Sequence, residues 1–261
     1  VDQSVSDTKI VGGENVPSAQ SDHRNWATVA ITTDFSPSGK PSTIEQNHSF
    51  CTGTLIDPTT IVTAAHCLQK FDPESRQKLD ELILPEINDF LVFFDNQVSP
   101  SGRYIRAKSV IPHPDWSPAD TLSPQPENAP HDIGVIKLEE AALDSFKPAT
   151  IAGQVRMNEG DQIYLVGFGV TKSRNENDTG IKRQVTTDFG SFDAAAQRIG
   201  VGKFGKGACA GDSGGPAYVK VGSEYQVIGA TSTGAEIMGR CLGLMNNYTD
   251  VRFYKDWINS L

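Results

Sequence analysis

Short runs in which apolar and polar residues alternate, rich in β-branched side chains, dominate this chain and predict strands. Trp26 to Thr33, Phe50 to Thr63, Leu91 to Phe94 and Tyr104 to Ile111 form a first set. A polar turn at Ser99, Pro100, Ser101 and Gly102 separates the last two. The first set closes on the apolar run Ile133 to Leu138, with Asp132 at its mouth. Gln162 to Val170, Lys182 to Phe189, Tyr218 to Val221, Tyr225 to Thr233 and Asn247 to Arg252 form a second set. Between the sets, Glu139 to Pro148 is charged and alanine-rich, which suits a crossing between two halves. Helical spacing is confined to two places. Asp72, Pro73 and Glu74 make a helix start ahead of Leu79, Leu82 and Ile83, so a short helical insertion is expected over 68–89. Tyr254, Trp257, Ile258 and Leu261 fit one amphipathic C-terminal helix. The stretch 114–130 carries Pro114, Pro118, Pro124, Pro126 and Pro130, and predicts an irregular surface loop.

Composition narrows the function classes. Lys plus Arg number 23 against 32 for Asp plus Glu, a net charge of −9, so the surface repels nucleic acid and acidic membranes. No apolar run approaches the roughly 18 residues of a membrane helix, and the start lacks the layout of a signal peptide. Cys51, Cys67, Cys209 and Cys241 are even in number without C-x-x-C spacing, which favours disulfides over zinc. Counting alone leaves three pairings open. Sequons at Asn47, Asn177 and Asn247 carry little weight, because such triplets arise by chance.

The chemistry centres on Gly211, Asp212, Ser213, Gly214, Gly215 and Pro216, where a serine is displayed among glycines. A serine hydroxyl is a weak nucleophile and needs a base, itself oriented by a third group. The G-x-S-x-G elbow of α/β-hydrolases places that base after the serine. All five histidines, His23, His48, His66, His113 and His131, precede Ser213, so an esterase of that type is excluded. His66 follows small residues in Thr63, Ala64, Ala65 and His66 and is tied down by Cys67. Alone it would be read as structural, and Asp132 as a solvated strand start. With a displayed serine in the same chain, both become catalytic candidates. Residues 1–9 are polar and end at Lys9, where Ile10, Val11, Gly12 and Gly13 begin. That junction suggests a cleavage point, against the plainer reading of a frayed terminus.

Taken in order, Ile10 to Gly13, Thr63 to Cys67, Asp132 to Leu138 and Gly211 to Pro216 resemble the chymotrypsin/trypsin family of serine endopeptidases over essentially the whole chain from Ile10. The resemblance implies an all-β fold of two packed antiparallel six-stranded barrels, at about 27–138 and 150–250. The active site would lie between them, with a short C-terminal helix behind. It implies an activation segment 1–9 followed by a protease domain 10–261. Ser213 would be the nucleophile, His66 the general base and Asp132 the orienting carboxylate, with the N–H groups of Gly211 and Ser213 as the oxyanion hole. Cys51 would pair with Cys67 and Cys209 with Cys241, in an oxidising, secreted setting, or in the periplasm of a bacterium. Cleavage at Lys9–Ile10 would free an α-amine to pair with Asp212, making this a zymogen.

The chain departs from the best-known members at the primary pocket. Gly207 stands where trypsin-like members place an aspartate, and Asn246 where many keep a glycine. Ser232, Thr233 and Gly234 resemble the pocket wall with its aromatic replaced. An uncharged residue is therefore expected before the scissile bond, with Glu236 as an alternative route to basic specificity. Activation then calls for a separate trypsin-like protease. The segments 68–89 and 114–130 lie next to His66 and Asp132 in sequence, and suit either a rim that restricts entry or surface decoration. Asp95 lacks the spaced glutamates of a calcium loop, so no metal and no cofactor are expected. A monomer acting on protein or peptide substrates completes the expectation. A non-catalytic binding relative is the competing class, but such relatives usually lose a triad residue and this chain keeps all three.

Overall fold

The structure, a computed structural model, describes residues 10–17, 27–33, 51–68, 90–99, 101–116, 131–171, 179–234, 236–237 and 240–261. The expected activation segment 1–9, the helical insertion from residue 69 onward, and the proline-rich loop from 117 to 130 lie outside those residues.

The first half comprises β1 (Glu14–Asn15), β2 (Thr28–Thr33), β3 (Cys51–Asp57), β4 (Thr60–Thr63), β5 (Phe90–Phe93), β6 (Tyr104–Pro112) and β7 (Gly134–Leu138). Strands β2 to β7 close into an antiparallel barrel in the order β2-β3-β4-β7-β6-β5. The second half comprises β8 (Gln162–Gly167), β9 (Arg183–Asp193), β10 (Arg198–Val201), β11 (Pro216–Val221) and β12 (Glu224–Thr233). It ends with the short pair β13 (Glu236–Ile237) and β14 (Arg240–Cys241), then β15 (Asn246–Asp250). Here β9, β10, β15, β12, β11 and β8 run side by side, and β8 pairs back onto β9 to close a second six-stranded barrel. Strand β1 crosses over to the second barrel, pairing Glu14 with Gln184 and Asn15 with Arg183.

Alternation explains how one strand serves two apolar regions. Along β7, Ile136 and Leu138 enter the first barrel with Val29, Ile31, Leu55 and Phe90. Val135 and, just before the strand, Ile133 turn the other way and meet Val166, Tyr218, Val227 and Ile258 in the seam between barrels. Strand β4 splits likewise, Ile61 inward and Val62 to the seam. The interior of the second barrel holds Ile163, Leu165, Val185, Phe189, Ile199 and Ile228. Each fully buried side chain of this size contributes about 1.5–3 kcal/mol relative to exposure. At the chain's end a 3-10 turn, Val251–Tyr254, leads into helix α1 (Lys255–Asn259), whose Ile258 plugs the seam.

Two local expectations are revised. The run Phe50 to Thr63 is a hairpin rather than one strand. Pro58 cannot donate to a ladder, and Asp57 Oδ1 accepts from the Thr59 N–H at 2.8 Å and its hydroxyl at 3.0 Å, which folds the chain back. Strand β10 carries no clear alternation, because Arg198 and Gly200 interrupt its apolar signal, although all four residues are buried.

Candidate active site

His66 and Asp132 meet at one end of the first barrel, after β4 and before β7. His66 sits on the 3-10 turn Ala65–Leu68 after β4, and Asp132 just before β7, which pairs with β4. The backbone N–H of His66 donates to Asp132 Oδ1 at 3.0 Å, and its Nδ1 lies 2.8 Å from Oδ2. A carboxylate only accepts, so Nδ1 carries the proton and the Nε2 lone pair is left for another partner. Asp132 is wholly buried and His66 17 % exposed. Burial alone would lift the Asp132 carboxyl, but the charge of His66 and bonds from His66 and Ser232 hold it below the usual carboxylate range. Burial likewise opposes the imidazolium, and the facing carboxylate overrides it, so His66 titrates above the ordinary histidine value of 6.5.

The second barrel reaches into this pair. Ser232, expected on the pocket wall, donates its hydroxyl to Asp132 Oδ2 at 2.6 Å, and the Thr249 hydroxyl donates to the Asp132 carbonyl at 2.8 Å. Both contacts escape sequence reading, since they join positions 100 and 117 residues apart. His131, just before Asp132, has a positive φ of 60° and stacks on His113 with ring centroids 4.9 Å apart. The Tyr254 hydroxyl donates to Gln197 at 2.5 Å and so accepts from His131 Nδ1 at 3.0 Å.

Ser213 lies against the other side of the histidine's turn. Its carbonyl accepts from the Thr52 N–H at 2.8 Å and sits 3.5 Å from Cys67 Sγ. The close fit requires glycine at 214, where an added Cβ would stand 2.0 Å from the Thr63 hydroxyl and 2.7 Å from the Ala64 nitrogen. Cys51 is bonded to Cys67 beneath His66, and Cys209 to Cys241 beside Ser213. Cys51, His66 and Cys67 are the cluster of potential ligands close enough for an ion among the described residues. Their sulfurs are joined to each other, which leaves no thiolate.

Next to Ser213 opens a cavity of ≈ 180 Å³ lined by Ala208, Ser213, Ser232, Gly234, Cys241 and Asn246 among others. Gly207 lies below that lining, its N–H donating to the Val11 carbonyl at 3.1 Å, and a Cβ there would meet the Asn246 amide at 3.4 Å. Buried Asn246, its Nδ2 donating to the Ala208 carbonyl at 3.2 Å, thus stands above Gly207 and faces Gly234. Glu236 pairs through its backbone with Cys241 of the lining.

Ile10 is buried and shares a small void with Asp212, Leu165 and Tyr248. Its φ of 42° is a conformation that β-branched residues rarely hold. The Asp212 carboxylate accepts from the N–H groups of Gly169 at 2.8 Å and Cys209 at 2.9 Å. Lys9 lies outside the described residues.

A family model described as Trypsin matches residues 10–258. Phenoloxidase-activating enzyme 1 of Spodoptera litura is 27 % identical over 80 % of this chain and 58 % of its own length. Trypsin of Phaedon cochleariae is 29 % identical over 81 % of this chain and 78 % of its own. Chymotrypsin-like elastase family member 1 of Bos taurus is 25 % identical, covering 80 % and 77 %. The chain therefore spans less than two thirds of some curated relatives and over three quarters of others. In fold it is similar to mouse neuropsin, with a TM-score of 0.66 at 22 % identity over 95 % of this chain and 97 % of that one.

Proposed function

Because the chain belongs to the trypsin family of serine proteases, we propose that it is an endopeptidase working through Ser213, His66 and Asp132. The roles are those worked out for this family. Ser213 Oγ attacks the peptide carbonyl as its proton passes to His66 Nε2. Asp132 holds the ring in the Nδ1–H form and stabilises the imidazolium. The N–H groups of Gly211 and Ser213 receive the oxyanion, a donor of this kind being worth about 2.7–4 kcal/mol in the transition state. His66 then gives its proton to the leaving amine, and water resolves the acyl-enzyme. The observation that carries the reading is the 2.8 Å bond from His66 Nδ1 to a buried carboxylate, which leaves Nε2 basic.

In the same reading residues 1–9 are an activation segment. Cleavage at Lys9–Ile10 releases Ile10 from its left-handed backbone and frees an amine beside Asp212. Support comes from the burial of Ile10, the void it shares with Asp212 and the bond from Gly207 to Val11. With Asn246 above Gly207, the pocket suits an uncharged side chain, so the activating enzyme is a separate trypsin-like protease. Basic specificity through Glu236 is favoured only by its backbone pairing opposite Cys241. Two disulfides suit an extracellular or periplasmic setting. Substrates are proteins or peptides. One relative is named as an enzyme that activates phenoloxidase, which supports a protein substrate. A monomer requiring no cofactor, metal, nucleic acid or membrane is part of the proposal.

The test is labelling by a fluorophosphonate before and after cleavage at Lys9, followed by a peptide library varied before the scissile bond. Expected are fast labelling of cut protein only, its loss in Ser213→Ala, and preference for Leu, Phe or Gln reporters. Equal labelling of the uncut chain overturns the activation step, faster cleavage of Lys and Arg reporters overturns the pocket reading, and no labelling of either form overturns the activity.

A further inference from the structure

We infer that the hydroxyl of Thr52, on β3 of the first barrel, is a positioning group that holds the Gly211–Asp212 peptide, the link between the two peptides whose N–H groups form the oxyanion hole. The inference rests on the reading of Gly211 as an oxyanion donor.

Gly211 has a φ of +92° and no Cβ, so the peptides on either side of it turn easily. Each is pinned by a different partner. The Ala210 carbonyl, on the same peptide as the Gly211 N–H, accepts from the Val170 N–H at 2.9 Å. In a trans peptide this points the Gly211 N–H away from Val170. The following carbonyl, that of Gly211, accepts from Thr52 Oγ1 at 2.9 Å. The same hydroxyl accepts from the Phe168 N–H at 3.1 Å. Gly169, between Phe168 and Val170, donates to the Asp212 carboxylate at 2.8 Å. Three consecutive amides thus hold three consecutive residues of the catalytic loop. Val170 holds Ala210 and Gly169 holds Asp212 directly, whereas Phe168 holds Gly211 only through Thr52.

A hydroxyl suits this place because it donates and accepts at once, and the site offers one carbonyl and one N–H. Thr52 is wholly buried, so without the hydroxyl both backbone groups lose their partner out of reach of bulk solvent. The rest of the residue is built into the same loop. Its N–H holds the Ser213 carbonyl at 2.8 Å. A Cβ added at Gly214 would stand 2.6 Å from its carbonyl oxygen, and one at Gly215 3.0 Å from its methyl. One residue of the first barrel therefore holds the carbonyls of both residues whose N–H groups are read as oxyanion donors.

The test compares Thr52→Val, Thr52→Ser and Thr52→Ala with the parent, all cut at Lys9. In Thr52→Val, kcat should fall about tenfold with KM within about twofold, and a peptide aldehyde, which places an oxyanion in the hole, should bind about tenfold more weakly. Thr52→Ser should recover kcat and aldehyde affinity together. A crystal structure of Thr52→Val should show the Gly211–Asp212 peptide turned from its parental orientation, a readout independent of activity. Should the valine variant fail to fold, the serine and alanine variants both lack the methyl and differ only in the hydroxyl, so their tenfold difference reads the same quantity. Aldehyde affinity and kcat within about twofold across the folded variants, or an unturned peptide in Thr52→Val, overturn the inference. Inert parent protein towards fluorophosphonate would instead overturn the underlying peptidase reading.

Discussion

In the first barrel the described interior is hydrocarbon, with Ile31, Leu55, Ile61, Phe90 and Ile136 at its centre. The one buried charged side chain among its described residues is Asp132, at the rim. The second half buries Lys182, Arg183, Arg198, Asp212 and Asp250. Some of these charges act as braces. Arg183 donates to the Gly169 carbonyl at 2.7 Å, on the segment that holds Asp212, and Asp250 binds Arg252 at 2.5 Å. Burial pulls the Lys182 ammonium down to about 7, against the opposing charge of Asp95, and its Nζ lies 3.4 Å from the Phe94 carbonyl of the first barrel. Buried ions add little net stability but penalise arrangements in which they lose partners. The first barrel is thus a preformed frame for His66 and Asp132, whereas the second holds Ser213 and the cavity in a geometry that depends on polar contacts.

The sharpest test of this contrast removes that buried charge at the rim of the frame. Asp132→Asn should lower kcat by about 10⁴, the magnitude known for this family's triad, with little change in fold. It should also move the acidic limb of kcat/KM. In the parent that limb rises with pH through the His66 pKa, above 6.5, because the base must be neutral. Without the carboxylate the midpoint should fall, and an unmoved midpoint in a pH–rate profile would separate the limb from His66. Asp212→Asn should cost about 10²–10³ in kcat/KM, comparable to losing an oxyanion donor, while hydrogen exchange in β2 to β7 stays protected.

Smaller effects probe the bridges and the apolar frame. Serine replacement of Cys51 with Cys67, or of Cys209 with Cys241, opens bridges that span 16 and 32 residues and should cost roughly 3 kcal/mol each by denaturant titration. Only the second pair should raise KM, since Cys241 lines the pocket. Ile61→Val should cost about 0.5–1.5 kcal/mol and leave kcat of the folded protein unchanged. A drop in kcat there would mean that the frame transmits packing changes to the site.

What the sequence reveals follows the range of the interactions involved. Strand alternation is local, so the two sets of strands, their division near Glu139 to Pro148 and the final helix are legible. The hairpin at Asp57 and Pro58 is marked locally too, but the β-branched residues on both sides masked it. His66, Asp132 and Ser213 are legible because each sits in a recognisable run, not because anything local brings them together. Ser232 on Asp132, and Thr52 on a carbonyl 159 residues away, carry no such mark. A threonine in a β-strand is ordinary by propensity, and only the closed fold turns its hydroxyl into a link.

Dividing the triad between barrels also orders events in time. A ribosome makes His66 and Asp132 before Ser213, and domains tend to fold from the N-terminus as they emerge. A growing chain therefore has a stage in which the first barrel, with His66 on Asp132, is made and Ser213 is not. On the proposed reading, peptide cutting waits for the second barrel.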